Sequence, residues 1–155
     1  MKISFPITGR YDMKIRIFIP FILVAAILLT GCGTSGSPTE DTELVGIALC
    51  ANEDWPEYPV AQKLEERLNE TGKFRVDLEN AGEDAELQNG QVRIMVANSA
   101  RAIVITYVEG ADEKDMITMV EAADIPLIVI DREACKTNPD GEMIRLYNEI
   151  MSSPQ

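Results

Sequence analysis

Histidine is missing from all 155 residues, which removes the usual general base near neutral pH and the commonest transition-metal ligand. Basic residues are scarce as well: 14 Lys and Arg stand against 26 Asp and Glu, a net charge of −12. That balance argues against nucleic acid and anionic lipid headgroups as partners of a basic surface, and no basic cluster occurs beyond residue 32. Neither a Gly-rich phosphate loop nor a nucleophile–base set is present, so the chain reads as a non-enzyme with no cofactor, no catalytic residue and no metal. Aromatic residues amount to 6%, with Trp55 the single tryptophan, and cysteine is confined to Cys32, Cys50 and Cys135. No internal repeat occurs, and no low-complexity tract beyond residues 33–43.

What is present begins with an apolar run, Ile17–Leu28, preceded by Lys14 and Arg16 and followed by Leu29-Thr30-Gly31-Cys32. It is shorter than the roughly 20 residues a membrane-spanning helix needs, and Pro20 interrupts its early part, so cleavage is expected over spanning. Met1–Asp12 includes acidic Asp12 and only two cations, a poor cationic lead-in that makes Met13 an alternative start. The Leu-Thr-Gly-Cys sequence resembles the processing site of bacterial lipoproteins. The resemblance implies a signal peptide over 1–31 and a diacylglycerol thioether on Cys32, anchoring the chain to the cell membrane on its extracytoplasmic side. The competing reading is an uncleaved anchor or buried helix with Cys32 an ordinary thiol. Cys50 and Cys135 are then expected as free, half-buried thiols, with a bridge between them the alternative that this compartment would let persist.

Residues 32–43 are small, polar and Pro-containing, as in a flexible tether, and a folded domain is expected from Leu44. Apolar patterning then alternates between strand and helix. Leu44–Cys50, Phe74–Leu78, Ala102–Thr106 and Pro126–Ile130 read as strands. Pro59–Thr71 places Val60, Ala61, Leu64 and Leu68 on one helical face, and Asp84–Asn98 uses Leu87, Val92, Ile94 and Met95. Asp112 is expected to cap a third helix whose inward residues are Met116, Met119, Val120 and Ala123. Four strands separated by helices imply an α/β fold: a parallel sheet with helices on both faces, three layers in all.

In such sheets ligands sit beyond the carboxyl ends of the strands. This rule selects the loops Ala51–Tyr58, Tyr107–Asp112 and Asp131–Lys136. The first joins Asn52, Glu53 and Asp54 to Trp55, and the third begins with Asp131 and Arg132. Carboxylates and a guanidinium offer the multidentate hydrogen bonds that sugar hydroxyls need, and an aromatic face covers the apolar side of a pyranose. The bland alternative is a surface Asp131–Arg132 pair and a Trp55 that only packs on the first helix.

Residues 45–134, through the segments VGIALCANEDW, ENAGEDAELQNGQVRIMV, ARAIVITYVEG and IPLIVIDREA, resemble the amino-terminal lobe of periplasmic sugar-binding proteins of the ribose, xylose and multiple-sugar type. The resemblance implies a flavodoxin-like lobe over 44–135 that binds a monosaccharide, pentose or hexose, for an ABC permease. Asp131 and Arg132 match the family's sugar-binding Asp-Arg pair, and Trp55 matches a tryptophan lying against the sugar. Asp54 stands where many members with this tryptophan have arginine, and it is the fourth candidate ligand residue. Gln88 and Gln91 match recurrent helix positions with a structural role. Family members continue through a hinge into a second lobe. Here residues 136–155, with Glu142–Asn148 at their centre, are expected to begin that hinge and stop, leaving half the contacts and an uncovered sheet edge. Weak or undetectable sugar binding is therefore expected of this chain alone. The alternative function is an extracytoplasmic sensory or protein-interaction module, reporting to a receptor and built on the same lobe.

Overall fold

The computed structural model describes residues 42–107 and 113–154. The signal segment, Cys32, the tether as far as residue 41 and the cap at Asp112 lie outside the described residues, as does most of the Tyr107–Asp112 loop.

Strand β1 (Glu43–Leu49) leads to helix α1 (Glu57–Asn69), β2 (Phe74–Asn80), α2 (Ala85–Ala97), β3 (Ala102–Ile105), α3 (Glu113–Ala122), β4 (Leu127–Val129), α4 (Arg132–Thr137) and α5 (Pro139–Ser152). The four strands form one parallel sheet in the order β2-β1-β3-β4. Its register pairs Val45 with both Val76 and Ala102, and Val104 with Ile128. The direction in which strands are added across the sheet reverses between β1 and β3, which puts the topological switch point at their carboxyl ends.

Period-two alternation divides the core. Val45, Ile47, Leu49, Ala102 and Val104 face α1, α4 and α5, together with Val60, Leu64, Leu68, Leu146 and Ile150. Leu44, Ala48, Ile103 and Ile105 face α2 and α3, against Val92, Met95, Met116 and Val120. Gly46 belongs to this second side, and a Cβ there would lie 2.5 Å from Met95 Sδ. Glycine is what lets α2 sit this close to β1. Three helix starts are capped by side chains: Asp84 accepts from Leu87 N, Asp131 from Glu133 N and Ala134 N, and Asn138 from Gly141 N.

The structure departs from the sequence reading in four places. Leu87 and Ile94 are 50% and 60% exposed, because the buried stripe of α2 runs through Gln88, Val92 and Met95, one position further round the helix. Ala123, expected inward, is exposed just past the end of α3. Cys50 and Cys135 are free, and fully rather than half buried. Residues 142–148, expected to begin a hinge, lie inside α5, where Leu146 and Ile150 complete the core beside α1. That helix meets only the end of the expected open edge, where Glu142 accepts from Asp131 N and Arg145 Nη2 donates to Val129 O, and β4 remains the edge strand of the sheet. Two outward-facing backbone groups at the end of β4 are thereby satisfied.

Candidate functional site

The carboxyl ends of β1, β3 and β4 converge on one corner. After β1 the chain turns at Asn52–Trp55, where Trp55 N donates to Asn52 O at 3.0 Å, and enters α1 at Glu57. After β4 it leaves through Ile130, whose N–H donates to Ile105 O at 2.9 Å, and enters α4 at Arg132. β3 ends in Thr106 and Tyr107. Gln88 from α2 braces the middle of this edge, donating from Nε2 to Ala48 O at 2.8 Å and to Thr106 O at 2.7 Å. Cys50 N donates to the Thr106 hydroxyl at 2.7 Å, a second tie between β1 and β3.

Arg132 is the centre of the corner. Its guanidinium carbon lies 4.2 Å from the centroid of the Trp55 ring, a cation–π contact, and its Nε donates to Glu57 Oε1. A cavity of about 270 Å³ opens there, lined by Glu57, Thr106, Tyr107, Val129, Ile130 and Arg132. Asp131 sits beside it with Oδ1 engaged by the Glu133 and Ala134 amides at 2.9 and 3.0 Å, so this oxygen serves first as the cap of α4. Asp54 is exposed and does not line the cavity. Trp55 and Arg132 are therefore brought together and Asp131 adjoins Arg132 through the backbone, while of the four candidates only Arg132 lines the cavity. The indole face turned to Arg132 is occupied by the guanidinium, which leaves the opposite face for other company.

Three polar residues of this corner were not singled out from the sequence: Glu57 and Tyr107, although both lie in loops that the strand-end rule selects, and Thr106, just before one of them. For Glu57 a signal existed. It lies three, four, seven and eleven positions before Val60, Ala61, Leu64 and Leu68, an acid at the head of an otherwise apolar stripe. Such a placement demands a hydrogen-bonding partner, and Arg132, with its side chain 42% exposed, is that partner. Nothing local marks Thr106 or Tyr107, whose place depends on the strand order.

Electrostatics here are shaped by burial. Tyr107 is held above its ordinary value by burial, with Glu113 adding to the effect. Cys135, on the buried side of α4, is pushed up to about 12 by burial and then by the neighbouring Glu142, Glu57 and Asp131 carboxylates. Such thiols are poor nucleophiles. Among the described residues no group of three His, Cys, Asp or Glu is placed to hold a metal ion, and no helix is long and apolar enough to cross a membrane.

No protein-family model and no curated protein sequence matches this chain. Solved structures do. An ABC transporter solute-binding protein from Bacillus halodurans, with bound myo-inositol, is 21% identical at a TM-score of 0.54, covering 61% of this chain and 33% of its own. The periplasmic binding protein of the arabinose ABC transporter from Shewanella sp. ANA-3, bound to α- and β-L-arabinofuranose, is 22% identical at 0.51 over 57% of this chain and 29% of its own. A solute-binding protein from Clostridium phytofermentans, with bound β-D-glucose, is 23% identical at 0.50 over 59% and 30%. These likenesses establish the fold: the chain carries part of the α/β architecture of ABC-transporter sugar-binding proteins. It spans about a third of the length of the solved structures it matches.

Proposed function

We propose that the chain supplies the amino-terminal, ligand-contacting lobe of a solute-binding lipoprotein, which recognises a monosaccharide for uptake through an ABC permease. The observation that carries the proposal is the stacked Trp55–Arg132 pair beside a cavity at the switch-point edge of the sheet. Its chemistry suits a sugar: guanidinium N–H groups donate to hydroxyls, Thr106 and Tyr107 donate and accept, and Val129 and Ile130 provide apolar contact. The fold supports the same reading, because its neighbours were solved with inositol, arabinose and glucose. In this reading Arg132 and Trp55 touch the ligand first, Asp131 fixes the turn that aims Arg132, and Asp54 tunes the rim. Cys32 carries the lipid that holds the lobe outside the cytoplasm.

A cavity of about 270 Å³ is smaller than the roughly 300–1,000 Å³ that encloses a small molecule on most sides. Affinity in the millimolar range, around −4 kcal/mol, is the expectation. The test is an NMR titration of the full chain with myo-inositol, L-arabinose and D-glucose, following the Trp55 indole N–H. A saturable shift in the millimolar range, lost in Arg132→Ala, is the expected result. An indole that no sugar moves overturns the proposal.

A further inference from the structure

Glu57 is the buried polar group beneath the cavity that the monosaccharide reading leaves without a task. It heads the inward stripe of α1 and is 1% exposed. Oε1 accepts from Arg132 Nε, while Oε2 is buried and accepts from no described residue. Two consequences follow. The positive charge that Arg132 would bring to the cavity is compensated before any ligand arrives. An acceptor-only oxygen is left over, and only a donor can satisfy it.

The surroundings add no countervailing charge. Among the described residues of α4 and α5 the other cations are Lys136 and Arg145, and both are engaged, Lys136 by Glu133 and Arg145 by Glu142 and Glu149. Asp131 and Glu133 begin α4 beside Arg132. A ligand carboxylate entering here would meet like charges, and it could not donate to Oε2. A hydroxyl could.

We infer that Glu57 sets the charge class of the ligand. It holds Arg132 against Trp55, cancels the guanidinium charge and keeps one acceptor in reserve, so the corner takes neutral polyols and refuses sugar acids. This rests on the monosaccharide reading. Glu57 is a positioning residue with respect to Arg132 and a selectivity residue with respect to the ligand.

The experiment compares D-glucose with D-glucuronate, which differ at C6 alone, by the Trp55 indole shift in the full chain at constant ionic strength. Wild type is expected to respond to D-glucose at concentrations where D-glucuronate has no effect. In Glu57→Gln, similar in size but uncharged, D-glucose is expected to weaken roughly tenfold, the loss of one charge-assisted hydrogen bond, while D-glucuronate begins to bind. Glu57→Asp keeps the exclusion. Equal binding of the two sugars by wild type overturns the inference without recourse to a variant, as does unchanged discrimination in a folded Glu57→Gln. In both cases the monosaccharide reading stands. If neither D-glucose nor any other sugar moves the indole in wild type, the monosaccharide reading falls and this inference with it.

Discussion

Replacing Glu142 by alanine removes three hydrogen bonds at the point where β4 passes into α4. Oε1 accepts from Asp131 N at 2.8 Å and Arg145 Nη2 at 2.6 Å, and Oε2 accepts from Arg145 Nε at 2.8 Å. The Glu142 side chain is 2% exposed, whereas that of Arg145 is 43% exposed. Its guanidinium can turn to water when the carboxylate goes, so its share is discounted to under about 1 kcal/mol. The Asp131 amide loses a charged acceptor, which costs about 1.5–3 kcal/mol. Glu142→Ala is therefore expected to lose about 2–4 kcal/mol, roughly 10 °C in Tm for a domain of this size. Glu142→Gln keeps an acceptor for the amide and should cost about half as much. Urea denaturation followed by circular dichroism measures both. The pH dependence has a definite sign. A hydrogen bond from Arg145 holds the Glu142 carboxyl below its ordinary value of 4.5, with help from the Asp131 amide and against burial. A carboxyl lowered in the folded state contributes stability above its unfolded value and loses it as pH falls through the folded one. The gap between wild type and Glu142→Gln should thus be full at neutral pH and shrink in acid. A Glu142→Ala protein within about 0.5 kcal/mol of wild type would refute the reasoning, since a loss that small is typical of surface substitutions.

Other perturbations probe the remaining contacts. Gly46→Ala places a Cβ 2.5 Å from Met95 Sδ and 2.9 Å from its Cγ, for an expected loss of about 1–3 kcal/mol by overpacking. Adding Met95→Ala should relieve part of it, and strictly additive losses in a double-mutant cycle would disprove the contact. Gln88→Leu removes both donors to Ala48 O and Thr106 O, with about 2 kcal/mol lost and faster hydrogen exchange at Thr106. Because burial raises Cys135 to about 12 from 9.0, its contribution to stability is complete below pH 9 and is lost as pH rises toward 12. Cys135 adds a slope of roughly 1.4 kcal/mol per pH unit in that window, and Cys135→Ala should be less steep than wild type by that amount, with the buried Cys50 thiol still contributing its own. Iodoacetamide at pH 8 should leave Cys135 unmodified until the protein unfolds, and ready labelling of the native state would contradict its burial.

Sequence periodicity was enough for the elements that carry the core. The continuous runs of β1 and β3 could only be strands buried on both faces, and the stripe Val60-Ala61-Leu64-Leu68 could only be a helix lying on them. It misled on α2, where Leu87 and Ile94 look as apolar as Val92 and Met95. A helix with apolar residues on more than one side can be rotated about its axis at little local cost, and the side that faces the sheet is chosen by what meets it. Gln88 wins that choice, because only from there can one amide close the backbone of two strands. The Glu142–Asn148 stretch, expected to begin a hinge, likewise lies in α5, where the apolar spacing of Leu146 and Ile150 meets the core.

Three helices share a design: a polar residue heads the buried stripe, Glu57 on α1, Gln88 on α2 and Glu142 on α5. Each bonds to a group remote in sequence, respectively Arg132, the Ala48 and Thr106 carbonyls, and the Asp131 amide. Fold class, the order of the four strands and first three helices, and the residues worth watching at strand ends were set by the sequence alone, because apolar period and turn chemistry act over a few residues. The partners of those buried polar groups, and with them the stacked Trp55–Arg132 corner, were decided by tertiary structure, because parallel strands bring together residues 75 positions apart, as with Glu57 and Arg132.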